Sequence, residues 1–216
     1  MRRIVGSLLL AGLVASFAAS PARALDTGRR VIEFDVFLDG SKIGFHRYTI
    51  DGSAGTAAVS SEARFDVRFL FLTAFRYRHR TSETWTDGCL AAIDARTDSN
   101  GREFEVRGAR TDAGFVVDAG DESRRLSGCV MTFAYWNPDF LAQNRLLDPQ
   151  TGEYLEVDVE ELGRDTVNLD GRDVPARSVR IHARDLQVTL WYSDDAQWLA
   201  LESVATGGRV LRYELA

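Results

Sequence analysis

Phe75–Trp85, FRYRHRTSETW, alternates more sharply than any other stretch of the chain. Phe75, Tyr77, His79, Thr81, Glu83 and Trp85 fall on one side, and Arg76, Arg78 and Arg80 on the other. That two-residue period is the mark of a half-buried strand, because successive side chains leave a strand on opposite faces. The same period returns on both sides of it. Upstream, Ile32, Phe34, Val36 and Leu38 share a face, Asp39-Gly40 offers a turn, and Ile43–Ile50 runs back as the second arm of a hairpin closed by Asp51-Gly52. Val59–Phe71 continues the pattern. Downstream, Leu90–Thr97 and Arg102–Arg107 flank Asn100-Gly101, the two residue types that best tolerate the positive φ angles of a type I′ hairpin turn.

Shorter strands are predicted at Gly114–Val117 and Ser123–Leu126, then an aromatic strand at Val130–Trp136. The later ones are Tyr154–Glu160, Asp165–Leu169, Val174–Ala183, Leu186–Tyr192, Trp198–Val204 and Val210–Leu215. Turn signals recur every ~8–12 residues and helical periodicity is almost absent, which points to an all-β antiparallel meander. That many strands curl into a strongly curved sheet, a half-barrel or a two-layer β structure. No internal repeat or linker divides the chain, and residues 25–216 read as a single β domain.

One segment breaks the alternation. In Cys129–Gly152, CVMTFAYWNPDFLAQNRLLDPQTG, a helix is expected at about 138–147. Asn137 suits its N-cap, Pro138 its first position, and Asp139 the positive end of its dipole. Arg145 falls in its last turn, Asp148-Pro149 ends it, and Gly152 is free to turn left-handed into the next strand. A helix of this length is marginal alone and must dock on the sheet, with Phe140 and Leu147 on one face. It reads either as a plug for the hollow of the sheet or as a lid over a cavity. The candidate ligand-binding residues are Trp85, Tyr135, Trp136, Phe140 and Arg145.

The first residues carry the three parts of a secretory signal. Arg2 and Arg3 form a basic start, Ile4–Ala18 an apolar core, and Ala22-Arg23-Ala24 a cleavage site, so residues 1–24 are expected to be removed. The net charge of −6 then becomes more negative, since the segment holds three arginines and no acid. The expectation is a soluble periplasmic or secreted protein with no transmembrane anchor. An acidic surface of this kind repels nucleic acid. In an oxidising compartment Cys89 and Cys129 are expected to form a disulfide. The alternatives, a redox pair or a metal site, lack a Cys-x-x-Cys spacing and neighbouring histidines.

Catalytic and metal motifs are scarce. There is no Gly-x-Ser-x-Gly elbow, no His-x-His or His-Glu-x-x-His, and no glycine-rich phosphate loop, so no catalytic residue, metal or cofactor is assigned. His46, His79 and His182 stand singly in strands. Arg76, Arg78 and Arg80 form a candidate anion-binding stripe, or else pair across strands with carboxylates such as Glu156, Asp158 and Glu160.

Several of these features occur together in a known pattern: the Asp39-Gly40 hairpin, Trp85-Thr86-Asp87-Gly88-Cys89-Leu90, a cysteine segment ending in Tyr135-Trp136-Asn137-Pro138, Leu146-Leu147-Asp148-Pro149-Gln150-Thr151-Gly152, and Leu190-Trp191-Tyr192. The chain resembles an uncharacterised family of exported bacterial β proteins, a domain of unknown function. In layout it is distantly similar to the half-barrel lipoprotein carriers of the Gram-negative envelope. The resemblance implies a curved sheet and transfers no activity. Two readings follow: a non-enzymatic binding or envelope-interaction protein with an apolar hollow for a hydrophobic or lipid-like molecule, or a periplasmic hydrolase in which acids and His79 or His182 converge. A structural partner of another envelope protein is the third.

Overall fold

The computed structural model describes residues 28–53, 55–69, 72–169, 171–205 and 207–216. The signal expected at 1–24, its expected cleavage site and Phe71 lie outside the described residues. The strands are β1 (Arg29–Leu38), β2 (Ser41–Gly52), β3 (Thr56–Phe69), β4 (Leu72–Thr86), β5 (Cys89–Ser99), β6 (Arg102–Thr111), β7 (Gly114–Ala119) and β8 (Glu122–Leu126). After an irregular segment come β9 (Arg145–Leu147), β10 (Tyr154–Glu156), β11 (Asp158–Leu169), β12 (Arg172–Ala183), β13 (Leu186–Tyr192), β14 (Trp198–Ala205) and β15 (Arg209–Leu215). Thirteen of them form one antiparallel sheet in the order β11-β12-β13-β14-β15-β1-β2-β3-β4-β5-β6-β7-β8, while β9 and β10 pair separately. Each neighbour in the large sheet is also a neighbour in sequence except at β15–β1, where the last strand closes onto the first.

Local chemistry explains the elements. In β1 the residues Ile32, Phe34, Val36 and Leu38 are all buried and their alternates are not, as the period requires. Asn100 and Gly101 adopt φ values of 55° and 87°, the paired left-handed conformation of a type I′ turn. Most of the buried faces meet in one core that takes residues from nearly every strand of the large sheet, with Phe34, Tyr48, Trp198 and Tyr213 packed ring against ring in tilted and edge-on contacts. A smaller cluster of Val167, Ala176, Leu199 and Ala200 lies apart from it.

The segment after β8 occupies the middle of that core. Val130, Met131, Ala134, Trp136, Phe140, Leu146 and Leu147 are buried. Trp136 meets Trp85 of β4 edge to face at 5.5 Å, and the adjacent Tyr135 meets Trp198 of β14 at 5.3 Å. In a flat sheet β14 and β4, five strand steps apart, would be separated by ~24 Å. Consecutive residues reach both, so the sheet curls strongly around the segment. The segment is also tied down at its ends. Cys129 is disulfide-bonded to Cys89, Leu90 N–H donates to the Val130 carbonyl at 2.8 Å, and Tyr192 Oη donates to the Tyr135 carbonyl at 2.9 Å. Gly152, at φ 73°, packs so close that a Cβ there would lie 2.6 Å from the Cβ of Ala119.

Three expectations are corrected, two of them inside this region. Val130–Trp136 is not a strand. Its backbone turns on itself, with Tyr135 N–H bonded to the Phe133 carbonyl and Asn137 N–H to the Ala134 carbonyl, which aims its aromatic side chains into the core from both flanks. The helix expected at about 138–147 is a 3₁₀ turn over Pro138–Ala142 only, capped by Asn137 as anticipated. Arg145–Leu147 pairs instead with Tyr154–Glu156, and Leu147 N–H bonds the Met131 carbonyl, so tertiary pairing overrides a helix that was marginal alone. The acidic row does not meet the arginines. Arg76 and Arg78 pair with Asp66, and Arg80 with Glu62, both on the adjacent β3, whereas Glu160 pairs with Arg180 of β12.

Candidate functional site

The plugging segment fills only part of the hollow. Between it and the inner faces of β2, β3 and β4 lies a cavity of about 500 Å³, within the size range of small-molecule sites. Its wall alternates by strand: His46 and Tyr48 from β2, Val59 and Ser61 from β3, and Tyr77, His79, Thr81 and Glu83 from β4. Phe133, Ala134, Tyr135 and Trp136 form the opposite side. Asp148, Pro149, Gln150, Glu153, Arg184 and Asp185 form the mouth, where Arg184 and Asp185 are exposed.

Inward positions of a sheet are ordinarily apolar, yet β2, β3 and β4 place polar groups there. Several of them are held by named partners. His79 Nδ1 lies 2.7 Å from Thr97 Oγ1, and His46 Nε2 lies 3.3 Å from Ser61 Oγ. His46 Nδ1 is buried and has no partner in the protein. Glu83 accepts from Trp85 Nε1 at 3.0 Å and from Thr132 Oγ1 at 3.2 Å. Tyr77 Oη donates to Gln150 Oε1 at 2.9 Å, tying the mouth to the wall.

Burial governs the ionisation of these groups. It pushes His46 down to about 3, with the neighbouring His79 adding a smaller effect, and His79 down to about 4. Both rings are therefore neutral near pH 7. Burial raises Glu83 to about 7 against the opposing pull of its two hydrogen bonds. Tyr48, Tyr77 and Tyr135 are all raised, first by burial, and stay protonated. Among the described residues no three His, Cys, Asp or Glu side chains are grouped to hold a metal ion.

The candidate residues read from sequence separate into three places. Tyr135 and Trp136 line the cavity. Trp85 and Phe140 are fully buried behind it, Trp85 against Trp136 and Phe140 against Tyr135. Arg145 is on the outside, its guanidinium 5.0 Å over the Tyr154 ring. Arg76, Arg78 and Arg80 stand on the outer face of β4, each beside a carboxylate of β3. His182 is also outside, 4.0 Å from Glu160. His46, Ser61, His79, Thr81 and Glu83 form a group that no sequence motif marks. The sequence signal for them was the polar run at 79, 81 and 83 on the same side as Trp85, an inner face that carries hydrogen-bonding groups.

The sequence pattern of a domain of unknown function, DUF6134, matches residues 34–216. The chain belongs to the DUF6134 family. Its fold is similar to that of a solved structure, a β-barrel-like protein of the domain of unknown function DUF1849 from Brucella abortus, at a TM-score of 0.63. The two share 14% identity over 86% of this chain and 94% of that one, a likeness of fold. Comparison with curated proteins gives no match. For this DUF6134 chain the family and fold agree with the all-β, half-barrel architecture read from sequence. The site itself stands on the geometry of the cavity.

Proposed function

We propose that this DUF6134 chain is a soluble periplasmic binding protein that holds a small, partly apolar molecule in the cavity between β2–β4 and the plugging segment. The observation that carries the reading is the cavity itself. A segment pinned by a disulfide, buried aromatics and main-chain hydrogen bonds enters the hollow and stops short of filling it. Tightly packed interiors rarely leave such a volume, and its lining of aromatic surface with a few fixed polar groups is the composition of a ligand site. The Cys89–Cys129 disulfide suits an oxidising compartment, in keeping with export and cleavage near Ala24.

Nile red, a neutral apolar dye, tests this reading. It is expected to bind at one saturable site with a rise in fluorescence, and Thr81→Phe, which fills the cavity from β4, is expected to abolish binding while the far-UV spectrum is retained. Dye binding unaffected by Thr81→Phe sinks the proposal.

A second reading, hydrolysis, rests on one contact, the 3.3 Å approach of His46 Nε2 to Ser61 Oγ. A serine nucleophile needs a base whose other nitrogen is oriented by an acceptor. His46 Nδ1 has no such partner, and burial makes the ring a weak base. Binding is therefore the better supported of the two.

A further inference from the structure

We infer that the ligand carries a basic nitrogen: the cavity takes an amphipathic amine, with its ammonium head against Glu83 and its apolar part along Tyr48, Tyr135 and Trp136. This rests on the binding reading above and names the chemistry of the ligand.

The argument is one of charge and of unmet polar groups. Glu83 is the only acid among the described residues that is buried, and it lines the cavity. Its hydrogen-bond donors, Trp85 and Thr132, are both neutral. Its neighbours across the sheet are Val59 on β3 and Ile93 on β5, and the nearest inward residues of its own strand are Thr81 and Trp85. None of these supplies a cation. His46 and His79 further along the wall are neutral, and Tyr48, Tyr77 and Tyr135 are protonated. At the mouth stand Asp148, Glu153 and Asp185, against Arg184 as the one cation among the described lining residues. Arg184 is already bonded to Glu153 at 2.7 Å.

A fatty acid or another anionic amphiphile would meet this array of carboxyl groups with no free cation among the described lining residues to receive it. A purely apolar ligand would leave the Glu83 carboxyl buried with two neutral donors and no cation, and His46 Nδ1 buried with no hydrogen-bond partner, which is costly for both. An ammonium group resolves the first of these deficits. It pairs with a carboxylate already oriented by two donors, in surroundings where such a pair is strongest. Because burial holds Glu83 near 7 in the free protein, entry of a cation drives its proton off, and binding tightens as pH rises through that value.

Displacement of Nile red from the mature protein by octylamine, octanol and octanoate at pH 7.5 tests the inference. Octylamine is expected to displace the dye at a concentration about ten-fold below octanol, with octanoate weakest of the three. Glu83→Gln is expected to bring octylamine to the level of octanol. Octanoate equal to or better than octylamine overturns the inference, as does an amine preference that survives Glu83→Gln. The comparison of the three ligands on the wild-type protein decides the matter even where the variant misfolds. Displacement by all three without an amine preference refutes the amine while leaving the cavity as a site; failure of Nile red and all three to bind refutes both.

Discussion

Trp85 donates its indole N–H to the Glu83 carboxylate 3.0 Å away, across the two-residue repeat that puts both on the inner face of β4. The bond joins two functions of one strand. Trp85 belongs to the packed core and meets the plugging segment through Trp136, while Glu83 belongs to the cavity wall. The rigidity of the first therefore fixes the orientation of the second. Thr132, from the plug, completes the grip at 3.2 Å.

Glu83 makes stability depend on pH in a direction unusual for an acid. Its proton leaves near 4.5 in an unfolded chain and near 7 in the fold, so between those values the folded state binds more protons. The contribution is whole below 4.5 and is lost as pH rises through about 7. Glu83→Gln removes that loss. Its stability relative to wild type is expected to improve by about 3 kcal/mol between pH 4.5 and pH 8, measured by urea unfolding. Parallel pH profiles for the two proteins contradict this.

The two inner histidines act in the opposite sense. An unfolded histidine takes a proton near 6.5, whereas burial holds His79 neutral down to about 4 and His46 down to about 3. Their contribution is whole above 6.5 and is lost as pH falls towards those values. His79→Gln is expected to flatten acid unfolding between pH 6.5 and 4 by about 3 kcal/mol. Since Glu83 works against them between 4.5 and 6.5, the variants are expected to show slopes that the wild-type profile partly hides.

The disulfide closes a loop of 40 residues and anchors the start of the plug. Replacing both partners, Cys89→Ser with Cys129→Ser, is expected to cost about 4 kcal/mol in urea unfolding, on the chain-entropy account. A change below 1 kcal/mol would mean that the core contacts of Trp136, Phe140 and Leu147 restrain the segment without it.

Gly152 marks where the plug leaves the core. Its φ of 73°, and the 2.6 Å separation that an added methyl group would have from the Ala119 Cβ, impose two separate penalties on Gly152→Ala. A loss of about 2 kcal/mol is expected, and adding Ala119→Gly is expected to recover only the steric part. Full recovery in the double variant would show that backbone strain contributes nothing.

What was legible in the sequence was local. The alternation of Tyr77–Trp85 assigns its two faces correctly, whereas Phe75 at its start is exposed, and Asn100-Gly101 and Asn137 dictate their turn and cap through their own backbone preferences. The partners of Arg76, Arg78 and Arg80 were not legible, because register between strands is a property of the assembled sheet. The same holds for the convergence of His46, Ser61, His79 and Glu83. These come from β2, β3 and β4, and their common cavity exists only once the sheet has curled around Trp136. Val130–Trp136 misleads for a related reason. Its composition is that of a strand, but its aromatics are needed on two opposite walls at once, at Trp85 and Trp198.

The central claim is an occupied cavity, and native mass spectrometry of the protein released gently from its own compartment tests it most directly. The account predicts a mass above that of the disulfide-bonded mature chain, lost on denaturation and absent from Thr81→Phe. A single mass equal to that of the mature chain, together with failure of the wild-type protein to bind Nile red, would contradict it.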